Sequence, residues 1–301
     1  MPIDFRKLFE KGVHFGHQTS RWCPKMAPYI WGHKNKTHLF DVSITASQLE
    51  KAAQFLETIA AQGQSILWVG TKRAAQEIIG RVAAGKWPYV NHRWIGGTLT
   101  NFGQVKKSVT KHKHLEDVLN KYETVKDKES LSLNYTKKEL NLLQKRATRL
   151  RKSVGGIGGL TWPIGAVVIV DIGKEQSALR EAAQMKIPVV ALVDTNYDPS
   201  LVTYVIPAND DSPDAIEVIV SYLAEAADRG KVVAATQHKD LVEQETVGQD
   251  ELIPDVAGVL SLVVEEDEAP ATADKKTKKM AVAPVKSSPI HKKTRSHDEG
   301  D

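Results

Sequence analysis

Five short apolar runs, each bounded by turn residues, constrain the fold of this 301-residue chain more than any other feature. They lie at 66–70 (ILWVG), 89–91 (YVN), 166–171 (AVVIVD), 188–193 (PVVALV) and 204–206 (YVI). Runs this short and this rich in Val and Ile read as buried strands. Helical patterns separate them. Ser43 is placed to cap a helix whose apolar face is Leu49, Ala52, Leu56 and Ile59, and Thr71 to cap a helix over 74–84 directly after the first run. Residues 175–185 and 214–227 supply two more helices. Strands alternating with helices need crossover connections, so the expectation is an α/β domain with a parallel sheet and helices on both faces. Ahead of it, 29–31 and 37–40 flank His33, Lys34, Asn35 and Lys36, a small hairpin whose basic turn fits a solvated loop as well as a contact loop.

One segment does not follow the alternation. Phe102, Val105, Val109, His112, Leu115, Leu119 and Tyr122 recur at spacings of three or four, and Leu140, Leu143, Ala147, Leu150 and Val154 repeat the pattern on the way back. This predicts two helices meeting along a coiled-coil seam, an inserted hairpin over 103–152. A capping box at Thr136, Lys137, Lys138 and Glu139 starts the second helix, and the glycines at 155–159 suggest a flexible return joint. One narrow apolar stripe per helix leaves Lys106, Lys107, Lys111, Lys113, Lys145, Arg146, Arg149, Arg151 and Lys152 on the outside.

Charge singles out the same segment. Residues 101–160 hold fourteen Lys/Arg against six Asp/Glu, in a chain whose formal net charge is only +4. Residues 161–240 reverse the balance, with 6 Lys/Arg against 12 Asp/Glu. Exposed helix faces of ordinary coiled coils mix signs in i,i+4 pairs, so a one-sided excess points to a polyanion, and the two halves suggest two surfaces with different partners. Nearer the domain, His14, His17, Lys25, Lys72, Arg73, His92, Arg93 and Trp94 are candidate nucleic-acid contacts. Trp22 and Trp94 stand among cations, as a base-stacking site would need, and equally as packing residues would.

Several function classes drop out. Cys23 is the only cysteine, which excludes a disulfide framework and a multi-cysteine zinc site and fits a reducing cytoplasm. No run of eighteen apolar residues is present, and the first residues lack the long apolar run expected of a secretory signal. From 265 the chain turns charged and rich in Ala and Pro without an apolar face, as a disordered tail does, while 231–264 forms an extension of ambiguous character.

The turn after the first strand, with Thr71, Lys72 and Arg73 at a helix N-terminus, has the look of an anion site. It lacks both the P-loop and the dinucleotide glycine spacing, which leaves a phosphosugar- or nucleotide-binding α/β enzyme as the weaker alternative. Asp171, Asp194, Asp210 and Asp211 fall at the ends of neighbouring strands, where α/β folds gather ligand groups. Asp194 and Asp210 with His17 are the candidate metal ligands, for Mg²⁺ or Zn²⁺; turn and helix capping by these aspartates is the other reading. No cofactor is required by either.

Six motifs then occur in order: FGHQ at 15–18, WCPKM at 22–26, NKTH at 35–38, VGTK at 69–72, NHRWIGGTLTN at 91–101 and VDTN at 193–196. Together they resemble the bacterial form of the family of the second protein of the small ribosomal subunit, from about residue 5 to about 230. The resemblance implies a Rossmann-like or flavodoxin-like domain over 1–102 and 153–230, with the coiled-coil hairpin inserted over 103–152. It implies no catalysis. Its expected partners are small-subunit ribosomal RNA and other small-subunit proteins, including the large mRNA-binding protein. Neither a membrane nor a second copy of the chain is expected, and the place of action is the small subunit in the cytoplasm.

Overall fold

All five apolar runs are strands in the computed structural model, which describes residues 3–124 and 135–250. The elements run α1 (Phe5–Glu10), β1 (Phe15–Gln18), β2 (Ile30–Lys34), β3 (Thr37–Phe40), α2 (Val42–Ala61), β4 (Ser65–Val69), α3 (Arg73–Ala83), β5 (Tyr89–Val90), α4 (Phe102–Thr124), α5 (Lys137–Val154), β6 (Ile164–Val170), α6 (Gln176–Gln184), β7 (Val189–Val193), β8 (Tyr204–Pro207) and α7 (Pro213–Asp250). The sheet is parallel throughout, in the order β5-β4-β6-β7-β8. The first strand in sequence therefore lies inside the sheet, and the order reverses between β4 and β6. That is the doubly wound arrangement expected from the alternation.

Strand periodicity sorts the core into two layers. Ile66, Trp68, Val168, Val190 and Ile206 face Leu49, Leu56, Ile79, Ile216 and Leu223 of α2, α3 and α7. Leu67, Val69, Val167, Ile169 and Ala191 face the other way, onto Ala178 and Ala182 of α6 and onto Val105, Val109 and Val154 at the root of the hairpin. Each fully buried Leu or Ile contributes about 1.5–3 kcal/mol relative to exposure. The hairpin is thus packed into the domain core at its base.

Several local expectations need correction. Asp41, not Ser43, caps α2, its carboxylate accepting the Ser43 N–H at 2.8 Å. Thr71 does not cap α3: Lys72 holds the cap position without a side-chain bond, and the Thr71 hydroxyl is engaged elsewhere. β1 adds a third strand to the small hairpin, in the antiparallel order β1-β3-β2; its short, mostly polar sequence carried no strand signal. The turn between β2 and β3 is set by Asn35 and Lys36, both at positive φ. The last helix continues past 227 to Asp250. The remainder of the extension and the tail expected to be disordered lie outside the described residues, as does the hairpin tip at 125–134.

The glycine run at 155–159 is not a loose joint. Gly155–Ile157 form a single 3₁₀ turn closing α5, and a Cβ on Gly156 would fall 2.1 Å from the Tyr89 carbonyl oxygen. Glycine is needed there so that the returning arm can press against β5.

Candidate nucleic-acid interface and strand-end cluster

The arm is built as its spacing predicts. Val105, Val109, His112, Leu115, Ala147 and Val154 are buried along the seam between α4 and α5, and Phe102, Leu119, Tyr122, Leu140, Leu143 and Leu150 are half-buried. Thr136 and Glu139 form the reciprocal capping box, with bonds of 3.3 Å and 2.8 Å. Lys106, Lys107, Lys111, Lys113, Lys145, Arg146, Arg149, Arg151 and Lys152 are all exposed, and among the described residues none of them makes an ion pair. Lys106, Lys107 and Lys111 line one shallow face of α4 with Thr110 and His114.

In the loop that leads into the arm His92 and Arg93 are exposed, and Arg73 is exposed at the start of α3. Trp94 is not: only 9% of it is accessible, and its indole N–H donates to Glu181 at 2.9 Å, so it packs instead of offering a stacking face. His14 is buried between the rings of Phe9 and Phe15, at centroid distances of 4.1 and 4.0 Å, and burial lowers its pKa. Lys25 reaches Asp198 at 2.6 Å and Ser200 at 2.8 Å, and that ammonium draws the Asp198 carboxyl down to about 2.

Lys72 and His17 belong to a different constellation, at the carboxyl ends of the parallel strands. β4 delivers Lys72, β6 Asp171, β7 Asp194 and β8 Asp210 and Asp211, while β1 brings His17 across from the small sheet. The Lys72 ammonium lies 2.7 Å from both Asp210 and Asp211 and 3.4 Å from Asp171. Burial works against that charge, but the bonds from Asp210 and Asp211 outweigh it and hold the pKa above its ordinary value. Asp210, fully buried, is pushed up to about 7 by burial and by the charges of Asp171 and Asp194. His17 Nδ1 stands 2.9 Å from Asp194, whose hydrogen bond raises the imidazole pKa. Donor atoms of His17, Asp194 and Asp210 all fall within 4.8 Å of one another. Asp210 Oδ2 is buried and has no hydrogen-bond partner among the described residues. A nitrogen and two carboxylates, one with a spare oxygen, form a donor set a divalent cation can use.

The anion seat at the start of α3 is already taken. Glu175, 2% exposed, accepts the Thr71 N–H at 3.0 Å and the Thr71 hydroxyl on the same oxygen, and Lys174 donates to the Thr71 carbonyl at 3.0 Å. A phosphate would have to displace this internal carboxylate. Neither Glu175 nor Glu181 was singled out from the sequence.

The acidic stretch is also largely spent within the domain. Lys11, Lys25, Lys72, Arg81 and Lys86, all from the basic half, end on Asp214, Asp198, Asp210, Glu217 and Asp228. The expectation of two independent charged surfaces is corrected accordingly. A separate apolar surface does exist, where Phe9, Phe15 and Trp31 stand 60%, 48% and 74% exposed around one groove. No helix among the described residues is long and apolar enough to cross a membrane.

Residues 8–230, about three quarters of the chain, match the family model described as Ribosomal protein S2. The matched span contains the sheet, the strand-end cluster and the whole arm, and it stops inside α7.

Proposed function

We propose, for a chain that belongs to the ribosomal protein S2 family and is thereby a structural protein of the small ribosomal subunit, that its arm holds small-subunit ribosomal RNA. The observation that carries this reading is the contrast in cation use: Lys106, Lys107, Lys111, Lys113, Lys145, Arg146, Arg149, Arg151 and Lys152 are exposed with no ion-pair partner among the described residues, while Lys11, Lys25, Lys72, Arg81 and Lys86 of the domain each meet a carboxylate. Phosphates would supply what is missing. The seam sets the spacing of the cations, and His92 and Arg93 continue the basic surface at the base. Affinity then comes from counterion release, and the chain works as architecture, without catalysis, in the cytoplasmic small subunit.

Neighbouring small-subunit proteins, the large mRNA-binding protein among them, would meet the other side. The exposed Phe9, Phe15 and Trp31 support a protein-facing role, because aromatic patches of this kind anchor interfaces. His17, Asp194 and Asp210 would hold a divalent ion beside Lys72, and imidazole with carboxylates favours zinc over magnesium. Equilibrium dialysis should find one zinc per chain, lost in Asp210→Asn; equal binding by that variant removes the site.

The main test is filter binding of the full chain to small-subunit ribosomal RNA across a salt series. The logarithm of the affinity should fall linearly and steeply with the logarithm of salt concentration. A flat dependence, or failure to sediment with small subunits at low salt, overturns the reading.

A further inference from the structure

The loop that roots the arm closes on a single carboxylate from a distant helix. Glu181 of α6 accepts the Trp94 indole N–H and the Gly97 N–H on one oxygen, each at 2.9 Å. Its other oxygen accepts the Leu99 N–H at 3.0 Å and the N–H and hydroxyl of Thr100 at 3.4 Å. Gly97, at φ +90, turns the chain so that neighbouring N–H groups converge on one point, which makes the loop a nest for an anion. The Asn101 N–H then returns to the Gly97 carbonyl at 2.8 Å and α4 begins at Phe102, so the nest and the first turn of the arm are one hydrogen-bonded piece. His92 and Arg93 stand exposed at the other end of the same loop.

We propose that Glu181 is the positioning residue of the RNA interface: it fixes the direction in which α4 leaves the domain, so that the arm and the His92–Arg93 base meet one RNA surface together. The proposal rests on the RNA-binding reading above. Burial opposes the Glu181 charge, yet the bonds from Trp94, Gly97, Leu99 and Thr100 outweigh it and keep the carboxyl below its ordinary pKa, so the nest is filled by an anion at neutral pH. Helix α6 is held by Ala178, Leu179 and Ala182, which are buried independently of the carboxylate. Loss of Glu181 therefore frees the loop without removing the helix. Two linked contact areas bind as one only while their relative geometry is kept, so a loosened arm lowers the effective concentration of each for the other.

The test compares the full-length chain with Glu181→Ala, the milder Glu181→Gln, and Asp228→Asn as a control. Asp228 also bonds a tryptophan indole, that of Trp87 at 2.9 Å, together with Lys86, but away from the arm. Affinity for small-subunit ribosomal RNA should fall roughly 3- to 30-fold in Glu181→Ala and less in Glu181→Gln, with no loss in Asp228→Asn. Exchanging chloride for formate at constant ionic strength should refill the nest and restore binding in Glu181→Ala alone, a rescue that general destabilisation would not allow. Independently of RNA, spin labels on Lys51→Cys and Lys145→Cys, in a Cys23→Ser background, should show a broadened distance distribution in Glu181→Ala. An unchanged distribution, or wild-type affinity in Glu181→Ala, overturns the proposal. Absence of salt-dependent binding by the wild type removes its premise instead.

Discussion

Six cations of the arm and five of the domain differ in what folding does with them. In the domain, Lys72, Lys25, Arg81 and Lys86 approach carboxylates to between 2.5 and 2.7 Å, and Lys11 approaches one at 3.5 Å. Along the arm, the seam is apolar apart from His112, and Lys106, Lys107, Lys111, Lys145, Arg146 and Arg149 find no carboxylate among the described residues. Charge summed along a sequence mixes these two populations. The exposed cations at 106, 107, 111, 145, 146 and 149 remain available to a partner, whereas the acidic balance over 161–240 is in good part the counter-charge of the first hundred residues. An acidic stretch is thus weak ground for an acidic surface, and an unpaired basic stripe is stronger ground for a basic one.

The largest expected effect follows directly. Replacing Lys106, Lys107, Lys111, Lys145, Arg146 and Arg149 by Gln should weaken binding to small-subunit RNA by roughly a hundredfold or more at moderate salt, and flatten the salt dependence by about 0.7–0.9 for each phosphate left without its cation. Thermal unfolding of the domain should barely move. The opposite pattern is expected for Arg81→Gln with Lys86→Gln, whose exposed ion pairs are worth at most about 1 kcal/mol each, with the salt slope unchanged. Equal flattening by both sets would erase the distinction between the populations.

A second test goes to the buried side of the comparison. Thr71→Val removes the hydroxyl that donates to Glu175 and should cost about 1–3 kcal/mol in denaturant unfolding, since the carboxylate stays buried with one bond fewer. Burial raises the Glu175 pKa above 4.5, with the Thr71 bonds opposing it. The folded state then holds the proton more tightly than the unfolded one, so this contribution to stability is complete below pH 4.5 and is lost as pH rises through the higher folded value. Glu175→Gln should flatten that part of the pH–stability profile; an unaltered profile would mean that Glu175 titrates normally.

What could be read in advance follows the range of each interaction. The five strands of the parallel sheet, the seam and the Thr136 capping box were legible because each depends on neighbours within a few residues, through periodicity or a fixed offset. The meeting of Asp194 and Asp210 was legible because strand ends in an α/β sheet converge, which brings the two carboxylates together on topology alone. Glu175 and Glu181 were not. They act across sequence separations of 104 and of 81–87 residues, partly on backbone N–H groups, and a backbone donor has no side-chain signature. Lys72, Lys25, His14 and Trp94 share the same blind spot. Their residue types suit RNA contact, but burial and long-range partners decide whether the groups face outward.

The smallest effect tests whether the arm obeys the pairing rule that the domain obeys. His112 occupies a seam position between Val109 and Leu115 and is 6% exposed; its Nε2 is buried without a partner among the described residues, and its Nδ1 lies 3.4 Å from Glu116. A buried polar atom with no bond costs free energy that an apolar side chain of similar size avoids. His112→Leu should therefore stabilise the arm by about 1 kcal/mol, seen as slower hydrogen exchange of α4 and α5 amides. The salt slope of RNA binding should stay the same, because the seam does not carry the outward cations. Faster exchange in His112→Leu would show that the Glu116 contact outweighs the unpaired nitrogen, and that the arm, like the domain, relies on internal polar pairing.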